Sequence, residues 1–300
     1  MRSNPTQEGP PAPPPVGGRL SGLVETAKKQ RRRGPTPAKV IQLPLWPEAK
    51  RGAPNAVLRG ALFAAVQGKG RIAMERVILA AQDGITIRYT GWQLTQSDLD
   101  VWEQALHLAR TQALGTECHF IEKGFLQGLG RQSGKSGRDW LRSAFARLTA
   151  TAVEISDGRR TYGGNLLEFY REEDTGRTVL EINPKLAPFF GRSQWTQIDW
   201  EQRQRLRGKP LALWLHGFYA THAAPHALTV EYLHKLSGSQ TKQLRYFKKN
   251  LTQALRDLQA AGAIKAFKIQ DDLVHVRASP TKSQQRHLAA VRRRPSDRRK

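Results

Sequence analysis

The chain has 300 residues, 49 Lys plus Arg against 25 Asp plus Glu, and a formal net charge of +24. That length suits roughly two domains, and the surplus of positive charge favours phosphate backbones over acidic proteins or neutral metabolites as partners. A single cysteine, Cys118, excludes an intrachain disulfide and a zinc site built from cysteines.

Residues 1–51 hold ten Lys and Arg against three Glu, and the first 54 residues carry eleven of the seventeen prolines. Such Pro-rich, apolar-poor sequence buries too little surface to offset its ordering entropy, so 1–51 is expected to be a disordered basic arm centred on Lys28, Lys29, Arg31, Arg32 and Arg33. Its start, MRSNPTQEGPPAPPP, lacks the apolar segment of a secretory signal. An apolar island, Gln42-Leu43-Pro44-Leu45-Trp46, closes the arm. It reads either as a linear docking peptide, with two leucines filling a pocket and a terminal aromatic anchor, or as an apolar pin holding the arm to the first domain. From the residues alone the pin is the simpler reading.

Residues 52–192 read as a first domain. Asn55 is placed to cap a helix through LRGALFAAV, and 76–90 read as a hairpin turning at Asp83-Gly84. Thr95, with Asp98 three residues on, predicts a capping box and a helix over SDLDVWEQALHLARTQA. CHFI, a short helix EKGFLQGL and a glycine-rich turn come next. Ser136 and Asp139 then predict a capped helix to about Thr149, with Trp140, Leu141, Ala144, Phe145 and Leu148 as its buried stripe. Lys135, Arg138, Arg142, Ser143 and Arg147 lie elsewhere on that helix, open to a partner. Strands ATAVEIS, NLLEFYREE and TVLEINP complete the domain, with Arg159 and Arg160 at the first hairpin tip.

Residues 193–278 repeat the pattern more plainly. A long helix over 200–222 is expected; the uncharged run Pro210–Val230 contains three His, a Gly and two Pro and does not read as a membrane span. Thr229 caps VEYLHKL, which stops at Ser237-Gly238, and Ser239 is placed to cap a helix to Ala260. Leu244, Phe247, Leu251, Leu255 and Leu258 step by three or four residues and predict its core face; Thr241, Lys242, Arg245, Tyr246, Lys248 and Lys249 lie opposite. Strands AIKAFKI and LVHVRA meet at Gln270-Asp271-Asp272. Residues 279–300, with eight Lys and Arg against one Asp, form a basic tail expected to be disordered. The tail and the arm carry +7 each, leaving +10 on the folded middle.

The fold class is therefore α+β: two tandem winged-helix domains between a disordered basic N-terminal arm and a basic C-terminal tail. Long surface helices often carry Lys and Arg for solubility alone. Two such helices, each behind a short helix and ahead of a hairpin on a basic core, point instead to double-stranded DNA read in successive major grooves, as a direct repeat bound by one chain. The basic surface can also hold an exposed single strand. Catalytic patterns fail. In GRQSGKSG, three residues separate Gly130 from Gly134, and five separate the preceding Gly128 from it, where a phosphate-binding loop needs four. His222 and His226 are separated by Pro225, and no His-x-His pair suits a nickase. No enzyme activity, metal or cofactor is expected, and no membrane association; the location is cytoplasmic.

NAVLRGALFA at 55–64, YTGWQLTQSDLDVWEQALHLAR at 89–110, GRDWLRSAFARL at 137–148 and the unit at 228–277 resemble the TrfA family of plasmid replication initiators. The resemblance covers about 52–277. It implies a bacterial, plasmid-associated protein that binds direct repeats (iterons) at an origin, helps open an adjacent AT-rich segment, and recruits the host helicase DnaB with the host initiator DnaA. It also implies active monomers in equilibrium with homodimers that limit copy number. In this light Gln42, Leu43, Leu45 and Trp46 resemble the sliding-clamp docking peptide Gln-Leu-x-Leu-Phe, with Pro44 at the free position and Trp46 for Phe. The carried-over DNA contacts are Lys135, Arg138, Arg142 and Arg147 in the first domain and Thr241, Lys242, Arg245, Tyr246, Lys248 and Lys249 in the second. The rival function is a winged-helix repressor with no role in replication.

Overall fold

Two hydrophobic cores organise the residues described in a computed structural model of the chain: 42–191, 193–281, 284, 285 and 289. The basic arm before residue 42 and most of the tail beyond 281 lie outside the described residues, as does the expected disorder of both. Mixed helices and strands make the chain α+β. No helix among the described residues is long and apolar enough to cross a membrane.

In chain order the first core is built from β1 (Lys50–Pro54), α1 (Asn55–Leu58), β2 (Phe63–Ala64), β3 (Ala73–Leu79), β4 (Thr86–Trp92), β5 (Leu94–Thr95), α2 (Gln96–Ala109), β6 (Cys118–Ile121), α3 (Glu122–Gly128) and α4 (Lys135–Thr149). β7 (Ala152–Ser156), β8 (Thr161–Gly164), β9 (Glu168–Arg171), β10 (Arg177–Glu181) and β11 (Trp195–Asp199) follow. The second core comprises α6 (Pro210–Ala220), β12 (Leu228–Thr229), α7 (Val230–Leu236), α8 (Leu244–Ala260), β13 (Ile264–Gln270) and β14 (Leu273–Ala278), with α5 (Trp200–Arg205) as the connection. The two halves share one topology. In the first, helix α2, strand β6, helices α3 and α4, then β9 and β10 form a sheet in the order β6-β10-β9; in the second, α6, β12, α7, α8, β13 and β14 form β12-β14-β13. The first half adds an insertion, β7 and β8, which joins the β3–β4 hairpin in the sheet β3-β4-β7-β8.

Local chemistry explains the elements that follow expectation. The Thr95 hydroxyl and the Asp98 carboxylate close the capping box of α2, and the Thr229 hydroxyl accepts from the Tyr232 amide at the start of α7. Asp83 and Gly84 take positive φ in the β3–β4 turn, as do Asp271 and Asp272 between β13 and β14.

Several elements differ. The helix expected through LRGALFAAV is only α1; Leu58 and Leu62 to Ala64 are buried, and β2 pairs in parallel with β5. Asn55 does not cap it, because its side chain donates to the Ser193 carbonyl and accepts from Thr196. The helix expected over 200–222 is split into α5 and α6 by Gly208 at φ 80°, with Pro210 starting α6. Ser136 and Asp139 form no box; α4 starts at Lys135 with no side-chain cap. α8 starts five residues after Ser239, whose hydroxyl donates to Thr241 instead.

The domain limits shift too. β1 pairs antiparallel with β11, and Ile198 and Trp200 pack in the first core, so that core extends from Leu43 to Trp200 rather than from 52 to 192. The second begins at Leu206.

Candidate nucleic-acid interface

α8 presents the most open basic face. Phe247, Leu251, Ala254, Leu255 and Leu258 are buried. Lys242, Arg245, Tyr246 and Lys249 are exposed, and Asn250, Gln253 and Arg256 continue the outer face. Leu244, expected in the core, is 39% exposed because the helix begins there and nothing covers its first turn. Thr241 and Lys242 precede the helix, and the Thr241 carbonyl lies 2.9 Å from His234 Nε2. Lys248 is spent locally: its Nζ donates to Asp272 Oδ1 at 2.6 Å. The β13–β14 turn is thus acidic and faces its own helix, which makes it a poor phosphate contact.

Arg245 is held differently. Its Nε donates to Gln243 Oε1 at 2.8 Å, its Nη2 to Tyr246 Oη at 3.2 Å, and its guanidinium carbon lies 4.8 Å from the Tyr246 ring centre. Both partners are neutral, so no carboxylate offsets the guanidinium locally. Gln243 was missed in the sequence, being uncharged and placed inside a helix expected to start after Ser239; in the structure it immediately precedes the helix.

In the first half, most of the expected contacts on α4 are engaged within the protein. Arg147 Nη2 and Nε donate to Asp98 Oδ1 at 2.6 and 3.0 Å, and Asp98 is fully buried beneath Arg71 and Thr95. Arg147 therefore neutralises a buried carboxylate and is not free to meet DNA. Arg142 forms a two-pronged pair with Glu122 at 2.8 and 2.9 Å, which raises its guanidinium pKa further. Ser143 donates to the Asp139 carbonyl one turn back, leaving its hydroxyl engaged with its own helix. Of the four cations among the five, only Lys135 and Arg138 stay exposed without a carboxylate partner, although Arg138 Nη1 donates to the Ser133 carbonyl. Arg159 and Arg160 are exposed at the β7–β8 tip, where Asp157 Oδ1 accepts both backbone amides and shapes the turn. Arg131, also missed, stacks its guanidinium 3.7 Å from the Trp140 ring centre.

Gln42–Trp46 is folded onto the first core, which corrects the docking reading. Leu43 and Trp46 are 3% and 4% exposed. The Trp46 ring stacks on Phe190 and leans on Trp195, and its Nε1 donates to His107 Nδ1 at 3.0 Å. A Cβ on Gly52 would sit 2.6 Å from that indole, so glycine is required there. Gln42 Nε2 donates to the Arg110 carbonyl at 3.3 Å. Leu45 alone remains outside, at 67% exposure. Two anchors that a partner would need are already filling this protein's own core.

GRQSGKSG follows α3 rather than a strand, and His222 and His226 lie in the loop after α6. Among the described residues no three His, Cys, Asp or Glu side chains are grouped to hold a metal.

The sequence pattern of a family described as TrfA protein matches residues 20–278. The plasmid replication initiator protein TrfA of Escherichia coli is 27% identical over 241 residues, covering 77% of this chain and 62% of that protein. The chain thus spans less than two thirds of that relative's length. Two crystal structures of RctB domains 2 and 3 are similar, each at 14% identity. One, a selenomethionine derivative, has a TM-score of 0.47 and covers 69% of this chain and 86% of that one. The other has a TM-score of 0.43 and covers 65% and 81%.

Proposed function

The chain belongs to the TrfA protein family, and from that premise we propose that it initiates plasmid replication by binding direct repeats at an origin through two winged-helix units of unequal role. The observation that carries the DNA half of this reading is α8: a long helix with a neutral-held arginine, the exposed Lys249, the exposed Lys242 just ahead of it, and no acidic residue of its own in its first two turns. An α-helix of that kind fits the major groove and meets base edges and phosphates together. The first unit grips the backbone through Lys135, Arg138, Arg159 and Arg160, since Arg142 and Arg147 of α4 are paired with Glu122 and Asp98. Binding to arrays of repeats deforms the duplex, and that energy opens a neighbouring AT-rich segment. The host helicase DnaB and the initiator DnaA then act on the opened strands. Monomers bind, and homodimers restrain initiation. The protein acts by binding and needs no catalytic residue or cofactor.

Footprinting the full chain on its own replicon at physiological salt tests this. Protection of several evenly spaced direct repeats beside an AT-rich stretch is expected. Protection of one inverted repeat over a promoter would make the protein a repressor, and nicked supercoiled DNA in Mg²⁺ would make it an enzyme.

A further inference from the structure

We propose that Arg245 reads a guanine through the end-on fork of its guanidinium, with Gln243 and Tyr246 as positioning residues. The inference deepens the reading above and rests on α8 entering the major groove. A guanidinium carries five N–H donors. Gln243 Oε1 takes the Nε–H at 2.8 Å and Tyr246 Oη takes one Nη2–H at 3.2 Å. Both Nη1 hydrogens and one on Nη2 remain on an exposed side chain, and with Tyr246 on the Nη2 hydrogen next to Nε–H, one Nη1–H and one Nη2–H stand parallel on the end-on edge. Two parallel donors match one base edge in the major groove, the N7 and O6 acceptors of guanine. Adenine offers N7 beside an N6 donor and thymine a lone O4 beside a methyl, so each leaves one prong unpaired, while cytosine offers only a donor and leaves both unpaired.

The neutrality of the two holders sets this arginine apart. Arg142 and Arg147 are bound by Glu122 and Asp98, and Lys248 by Asp272, so each must break an ion pair before meeting DNA. Arg245 breaks nothing. Contact with the Tyr246 ring, 4.8 Å from the guanidinium carbon, narrows its rotamers before binding, which reduces the ordering cost of the complex. Tyr246 thereby acts through Arg245.

The test is affinity selection of duplexes from a random library by the full chain, for the wild type and for Arg245→Ala, Tyr246→Phe and Gln243→Ala. The expected wild-type consensus contains a guanine whose preference Arg245→Ala abolishes while the other positions persist. Placing 7-deazaguanine there, which lacks N7, should weaken wild-type binding about 10- to 100-fold and leave Arg245→Ala unaffected. Tyr246→Phe and Gln243→Ala should both shrink the guanine to 7-deazaguanine ratio, and Gln243→Ala should do so without changing affinity for unrelated duplex, a readout that a purely structural role would not move. The assignment is overturned if Arg245→Ala weakens all sequences alike, as a phosphate contact would, or if the wild type ignores 7-deazaguanine. A wild-type selection with no consensus overturns both the assignment and the sequence-specific binding it rests on; a consensus without an Arg245-dependent guanine overturns the assignment alone.

Discussion

Arg138 and Arg147 are the same residue type on one helix, yet the fold gives them opposite work. Arg147 faces Asp98, which is fully buried and shared with Arg71, while Arg138 is exposed. Arg147→Ala leaves a buried carboxylate with one partner fewer, so urea denaturation should show a loss of about 3 kcal/mol. Arg138→Ala should hold stability within about 0.5 kcal/mol and instead flatten the salt dependence of DNA affinity by roughly one phosphate contact. Equal behaviour of the two variants would refute the division. Nothing within α4 itself distinguishes these arginines. The deciding carboxylate lies 49 residues away on another helix, which is why the sequence placed both on one DNA-facing surface. Arg159 and Arg160 were legible because the Asp157-Gly158 turn is local and carries its exposure with it.

At the scale of elements, the turns and caps set by near neighbours were legible, and the extended segments set by distant partners were not. Residues 57–64 read as helix because they are apolar, but most are buried on all sides, which removes the contrast that marks one helical face. The residues of Gln42–Trp46 alone favoured a pin to the first domain, as found, but not its partners, since Phe190 and Trp195 are about 150 residues away in the chain. Trp46→Ala should cost about 3–5 kcal/mol of unfolding free energy; an unchanged midpoint would return this segment to the status of a free peptide. The latch is also acid-sensitive. His107 Nδ1 accepts from Trp46 and lies 3.2 Å from Arg51 Nη1, so the ring is neutral with its proton on Nε2, 3.0 Å from Glu48. Burial, with Arg51 beside it, pushes its pKa from 6.5 down to about 4. Because the folded value is the lower one, the unfolded chain takes up the proton first, and stability is lost as pH falls from about 6.5 towards 4. Denaturation midpoints measured across that window should drop for the wild type and drop less for His107→Gln.

The whole molecule depends on how rigidly the two halves are joined. Arg203, 1% exposed, extends from α5 between them. Its Nε is 2.6 Å from Asp100 and 3.2 Å from Glu103 on α2; Nη2 donates to Gln96, and Nη1 to the Leu213 carbonyl on α6. Trp214 donates to the Gly60 carbonyl, and Gln240 to Gly70 and Gln93, adding ties at other points of the seam. Glu103 is buried enough that its pKa rises to about 7, so the guanidinium is the main compensation for an otherwise costly pair of carboxylates. A joint of this kind fixes the angle between α8 and the basic tip of the first half. Under the proposed function, the DNA site must then match that angle. Inserting five base pairs between the two protected zones turns one of them about half a helical turn away, and competition binding should show affinity falling to that of a single unit. A hinged connection would absorb the insertion with little loss. Arg203→Met supplies the contrast: if the variant stays folded, it should bind more weakly to the natural spacing yet lose less affinity than the wild type on the inserted site. Equal spacing sensitivity in the two proteins would place the rigidity elsewhere along the seam.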